Sequence, residues 1–265
     1  MDHIVRLSNY NYGSVFHHFN MEFERGKITA IAGNNSSGKT SLIKAISGLL
    51  PFEKKTISVN YVYLESIGRE FYKKIGVCIP EMNLPFLKDT VYQELSFPLE
   101  NLNFSKRDIE KRVDEIKVLF HFENIMLENP SSLEQIDKHK LYIALAIIHR
   151  PILVLLDDPF LHMSLTIKKE IWRILKTLNE KENISIIFTS NNLTDCLLSD
   201  YLYLLDNGKV VIEGIPVSVM KEEKIINRLG LDLPFMIDLS SKLIFYELLN
   251  EIILDLDGMV NKLWK

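Results

Sequence analysis

Between an apolar run, Ile28-Thr29-Ala30-Ile31-Ala32, and a helix-forming run, Ser41-Leu42-Ile43-Lys44-Ala45-Ile46, the chain carries Gly33-Asn34-Asn35-Ser36-Ser37-Gly38-Lys39-Thr40. This is a complete G-x-x-x-x-G-K-[ST] loop in the strand-loop-helix setting the motif requires. Such a loop wraps a phosphate chain: backbone amides and the helix N-terminus point at the anion. Lys39 is placed to reach the β and γ oxygens, and the Thr40 hydroxyl to ligate Mg²⁺. The expected nucleotide contacts are therefore Gly33, Asn34, Asn35, Ser36, Ser37, Gly38, Lys39, Thr40 and Ser41. The strand-loop-helix order is that of an α/β fold.

The rest of the composition narrows the class. At 265 residues the chain can bury a full α/β core and still carry an appended segment. A formal net charge of -4, with lysines scattered among glutamates, leaves no electrostatic footprint for nucleic acid. Cys78 and Cys196 lack CxxC or metal spacing and read as buried structural thiols of a reducing compartment. The N-terminus has no basic and apolar signal pattern. The most apolar run, Leu141 to Leu156, is broken by His149-Arg150-Pro151 and is shorter than the ~20 residues of a spanning helix. Work at a membrane is thus expected to go through a partner.

Taken in order, residues 3 to 32 read as short strands, Ile4–Leu7 and Phe19–Phe23, with an Arg25-Gly26 turn into the strand that feeds the loop. Tyr10 and Tyr12 precede the second of these as candidate base-stacking aromatics. His17-His18 reads as a surface pair. The helix after the loop is expected to stop at Gly48, and a β segment follows near 56 to 64. Ile75–Ile79 is a buried-type strand ended by Pro80, and residues 80 to 104 read as loop plus irregular helix. Ser105 and Asp108 open an amphipathic helix.

Ser131 with Glu134, and Ser132 with Gln135, form two overlapping S-x-x-E/Q capping boxes, which predict a helix start there. Pro151 leads the continuous apolar strand Ile152–Leu156, tipped by Asp157-Asp158. Ligands of parallel sheets bind beyond the strands' carboxyl ends, so Asp157 is expected to reach Mg²⁺ beside Thr40. A helix over 165 to 181 and a strand over 184 to 188 follow. Asp206-Asn207-Gly208 between two apolar runs signals a hairpin. From 216 to 265 the pattern changes to short helices.

Strand, P-loop, helical insertion, Leu155-Leu156-Asp157-Asp158-Pro159, strand and hairpin, in that order over about residues 4 to 215, resemble an ATP-binding cassette (ABC) nucleotide-binding domain. Leu229-Gly230-Leu231-Asp232-Leu233-Pro234-Phe235 and the ending Met259 to Trp264 are similar to the ATPase subunits of energy-coupling-factor (ECF) transporters. The resemblance implies a P-loop NTPase fold with an antiparallel β subdomain and a helical subdomain at about 81–149. The cassette would span 1–215, with a C-terminal helical region, 216–265, serving dimerisation. It implies ATP and Mg²⁺ as cofactors, Tyr12 as the base-stacking aromatic, and Thr40 and Asp157 as metal ligands. The implied partners are a second ABC ATPase subunit, favouring a heterodimer, a transmembrane coupling subunit and a substrate-binding membrane protein. The implied place is the cytoplasmic face of the membrane, and the cargo a small molecule such as a vitamin or metal ion.

Several family positions depart. The inner loop glycine is Ser36, which costs on the order of 1 kcal/mol if φ is positive there. The Q-loop glutamine is Pro80. The signature L-S-G-G-Q falls on Leu133-Glu134-Gln135-Ile136-Asp137, where Glu134 would repel a partner's γ-phosphate unless the capping boxes turn it away. The catalytic glutamate is Asp158, a base with a shorter arm. The D-loop aspartate is Ser164, and the switch histidine is Ser190, which carries no near-neutral proton. Two readings follow: an ATP-hydrolysing transport subunit with weakened turnover, and a nucleotide-binding structural or regulatory subunit with little hydrolysis.

Overall fold

A computed structural model describes residues 2–66, 68–80 and 85–263. The chain opens with a long hairpin, β1 (His3–Tyr12) and β2 (Phe16–Glu24), and then enters β3 (Ile28–Ala32), the strand that ends at the loop. Tyr10 and Tyr12 lie inside β1 rather than outside the strands, because the antiparallel register continues to the pair Tyr12 and Phe16. Helix α1 (Lys39–Ile46) follows, and Gly48 takes a left-handed turn just beyond it. Next come β4 (Ile57–Val59), β5 (Val62–Tyr63), α2 (Arg69–Tyr72) and β6 (Ile75–Cys78).

The segment expected to be irregular contains a regular helix, α3 (Val91–Asn101), capped by Thr90, whose side chain accepts from the amide of Gln93. Pro98 sits inside it. The buried stripe Val91, Leu95 and Leu99 outweighs the hydrogen bond that the proline removes. Helix α4 (Lys106–Phe120) begins at the Ser105–Asp108 box as the sequence implies. Then α5 (Gln135–Ile147) leads to β7 (Leu153–Leu156), α6 (Leu165–Glu182) and β8 (Ser185–Ser190). After α7 (Leu193–Cys196), the hairpin β9 (Tyr201–Asp206) and β10 (Lys209–Gly214) turns at Asn207-Gly208, both at positive φ. Four short helices close the described chain: α8 (Pro216–Met220), α9 (Glu223–Arg228), α10 (Phe235–Phe245) and α11 (Leu256–Leu263). Trp264 of the ECF-like ending lies outside the described residues, as does the first part of the expected helical subdomain, 81 to 84.

Two sheets are built from these strands. One has the order β2-β1-β4-β5 and is antiparallel; the other has the order β10-β9-β3-β8-β7-β6. In the second, β3, β6, β7, β8 and β9 run parallel, with β10 antiparallel at the edge. Its central strands alternate between two cores. Val154 and Leu156 of β7 pack with α3 to α6, while Leu153 and Leu155 pack with α1 and the antiparallel sheet. A strand buried on both faces has no reason to alternate polarity, which is why it reads as one apolar run. Gly76 lets α5 approach β6: a Cβ there would lie 1.7 Å from the Ala146 carbonyl oxygen.

The C-terminal helices share the first of these cores. Met220, Ile226, Leu229, Leu231 and Ile237 are buried with the residues of α5 and α6. The same region exposes Phe235, Phe245, Tyr246, Leu248 and Leu256.

Candidate nucleotide site

The parallel register brings the strand ends together. Ala32 pairs with Ser190, Leu156 with Phe188 and Cys78 with Leu156. The loop after β3, the carboxylates after β7 and the position after β8 therefore meet at one edge of the sheet. Thr40 and Asp157, 117 residues apart, are joined there: the Thr40 hydroxyl donates to Asp157 Oδ2 at 2.8 Å. Asp157 is buried, and its other oxygen, Oδ1, accepts from the Thr189 hydroxyl at 2.6 Å. Thr189 Oγ1 in turn accepts from the backbone amide of Asp158 at 2.9 Å, which fixes the carboxylate pair relative to the sheet. Asp158 itself is half-buried at φ +45.

The loop is closed on itself. The Lys39 ammonium, buried, donates to the carbonyls of Gly33 at 2.8 Å and Asn34 at 2.9 Å. Gly38, at φ +107, is the N-cap of α1 and supplies no side-chain cap. A helix N-terminus of this kind suits an anion held in the loop. Gly33 is required by close approach: a Cβ there would lie 2.3 Å from the Leu205 carbonyl oxygen and 2.7 Å from Ser37 Oγ. The hairpin touches the loop again where the Gly208 amide donates to the Ser37 carbonyl at 2.9 Å. Ser36 sits at φ +65, the left-handed conformation in which a glycine carries no penalty. Asn34, Asn35 and Ser36 are exposed, whereas Ser37 is buried and Ser41 half-buried.

Thr40 and Asp157 offer one hydroxyl and one carboxylate, the set that holds Mg²⁺ when phosphate oxygens and water fill its other positions. Among the described residues, no cluster of three or more His, Cys, Asp or Glu side chains could hold a metal by itself. Mg²⁺ bound there would neutralise charge on the phosphate chain.

Tyr12 is half-buried at the end of β1, and Val15 of the following turn and Phe16 at the start of β2 lie against Gly38. Tyr10 is fully buried and donates to the Pro51 carbonyl at 3.1 Å, so it belongs to the core. His17 and His18 are exposed. Both cysteines are free and buried, and burial pushes their thiols up.

The capping boxes are not formed. Ser131 and Ser132 lie in a separate 3-10 turn, Pro130–Ser132, which Asn129 caps by accepting from the Ser131 amide at 2.8 Å. The Ser132 hydroxyl donates back to Asn129. Glu134 is the N-cap residue of α5, exposed, and makes no side-chain cap hydrogen bond. The same S-x-x-E/Q spacing suits a helix start or a preceding turn, and here the turn won because Asn129 and Pro130 initiate it. The first amides of α5 are thus open at the signature position, with a carboxylate beside them.

The other departures have local employment. Ser164 caps α6. Ser190 Oγ accepts from the Asn192 amide at 3.0 Å and donates to the Asn192 carbonyl at 3.3 Å, closing a turn. Sequence reasoning did not find Thr189, Asn191 or the Leu229 carbonyl, all of which touch the loop or its carboxylates. Thr189 follows directly from the β7–β8 register once the strands are paired; the other two have no local signal.

A family model described as ABC transporter matches residues 16–161. The chain is similar to the energy-coupling factor transporter ATP-binding protein EcfA1 of Bacillus subtilis (strain 168), at 30% identity over 92% of this chain and 88% of the relative. It is similar to the EcfA protein of Pediococcus pentosaceus at 26% identity, covering 89% and 87%. The structure of CbiO1 from Clostridium perfringens, part of the ABC transporter complex CbiONQ, superposes with a TM-score of 0.71 at 25% identity, covering 90% of this chain and 99% of that one.

Proposed function

Because this chain belongs to the ABC transporter family, among its energy-coupling factor transporter ATP-binding proteins, we propose that it binds MgATP at Gly33–Ser41 and couples that binding to a membrane complex. The complex contains a second, non-identical cassette, a transmembrane coupling subunit and a substrate-binding membrane protein, and it imports a small molecule such as a vitamin or metal ion. No helix of the described residues is long and apolar enough to cross a membrane, so this chain would sit against its partners at the cytoplasmic face. The exposed apolar residues between 235 and 256, in a region that also packs into the cassette core, support a role in pairing with the second cassette.

The observation that carries the reading is the Thr40–Asp157 hydrogen bond, which sets the Mg²⁺ hydroxyl and carboxylate together at the end of the phosphate loop. A second reading, binding with little turnover, is favoured by Ser164 and Ser190 being spent on a cap and a turn, and by Glu134 standing at the open end of α5.

One experiment separates them. The chain is purified with whatever cassette and membrane protein accompany it, and ATP hydrolysis is compared with Lys39→Ala in this chain alone. Loss of most of the rate supports turnover at this site; an unchanged rate supports the binding-only reading. Failure of a multi-helix membrane protein to co-purify sinks the transporter assignment.

A further inference from the structure

The exposed tip of the phosphate loop is held from outside at two points. Asn191, immediately after β8, donates from Nδ2 to Asn35 Oδ1 at 2.9 Å. On the other side Asn34 Nδ2 donates to the backbone carbonyl of Leu229, in the C-terminal region. Both anchors are themselves fixed. The turn that carries Asn191 is closed by Ser190 and by Asn192, which accepts from the Thr194 amide at 2.9 Å to cap α7. Asp195 of that helix is buried and grips the Lys168 ammonium of α6 through both oxygens at 2.8 Å. Leu229 lies at the end of α9, where Gly230 takes φ +65 and the Leu231 amide returns to the Ile226 carbonyl at 3.2 Å. Leu229 and Leu231 are both buried in the core. The tip, by contrast, contains Ser36 in a left-handed conformation that a serine resists.

We infer that Asn191 and the Leu229 carbonyl are positioning groups for nucleotide binding, clamping Asn34-Asn35 so that the loop keeps its phosphate-ready shape despite Ser36. The inference rests on the reading that this loop binds MgATP. Its chemistry is preorganisation. A loop that relaxes when empty must be rebuilt on each binding event, and that rebuilding is subtracted from affinity. The clamp also ties the C-terminal region to the loop, so a shift of α9 is felt at the phosphates.

The test is a titration of the purified full-length chain with MgATP in four forms: wild type, Asn191→Ala, Ser36→Gly and the double variant. Asn191 is exposed, so its removal leaves the core intact and the thermal unfolding midpoint nearly unchanged. The expected result is that Asn191→Ala raises the Kd about three- to tenfold, the share of one hydrogen bond. In the Ser36→Gly background the same substitution should change the Kd by less than about twofold, since glycine adopts the loop conformation without help. A merely structural asparagine would show no such rescue. Equal or tighter binding by Asn191→Ala overturns the inference, and so does a loss of the same size in both backgrounds. A wild-type chain that does not bind MgATP overturns the underlying reading instead, and the first titration alone reveals that.

Discussion

Ser36 illustrates how a single position can weaken a motif without removing it. The loop kept its two outer glycines for different reasons: Gly33 because the Leu205 carbonyl leaves no room for a Cβ, Gly38 because φ is +107. At Ser36 there is strain, and no clash is needed to explain its cost. A non-glycine residue in this conformation costs roughly 1–2 kcal/mol, and glycine gives back ~0.4–1 kcal/mol in unfolded-state entropy. Ser36→Gly should therefore stabilise the chain by up to about 1.5 kcal/mol, readable as a higher midpoint in thermal or urea unfolding. A lower midpoint would show that the serine side chain contributes something that offsets its backbone. Asp158 stands at positive φ too, but its amide is held by Thr189, so the short carboxylate is positioned by the sheet rather than by its own preference.

Helix α5 carries the consequences of the altered signature. Its N-cap is a glutamate with no cap hydrogen bond, and the serines that looked like caps belong to the turn before it. Glu134→Ser should supply the missing acceptor for the first-turn amides and stabilise the chain by about 0.5–2 kcal/mol. If the chain pairs with a second cassette as proposed, and α5 faces the partner's nucleotide there, the same change removes a carboxylate from that position, and hydrolysis should rise. Stabilisation without a rise in hydrolysis would mean that Glu134 does not limit closure. The helices also show where local signals mislead. Helix α3 contains Pro98, which argues against a helix on propensity alone, yet three buried apolar side chains at helical spacing hold it. The hairpin at Asn207-Gly208 and the box at Ser105–Asp108 were legible because backbone conformation there is dictated by the residues themselves.

At the scale of the molecule, two half-buried histidines set an acid limit. Burial holds the imidazoles of His139 and His149 below the ordinary value of 6.5; at His149 a hydrogen bond to the Ile75 carbonyl partly opposes the shift. In the unfolded chain both titrate near 6.5, so that chain binds the extra protons first as pH falls. The stability that depends on their neutral forms is complete above pH 6.5 and is lost below it, toward the depressed folded values. The unfolding midpoint should therefore drop as the pH falls below about 6.5, and His139→Gln with His149→Gln should flatten that slope. An unchanged slope would place the acid sensitivity elsewhere. The same scale decides what could be read in advance. The amino-acid order by itself determined the phosphate loop, the doubly buried strand before Asp157, the hairpin and the likeness to a transport cassette, because each is a pattern of neighbours along the chain. Only the tertiary structure decided that Thr189 and Thr40 share the Asp157 carboxylate, that Tyr10 belongs to the core, that Glu134 stands uncapped, and that Asn191 and Leu229 hold the loop tip. Those contacts join residues that β-strand register and helix packing bring together from far apart, and no local preference encodes them.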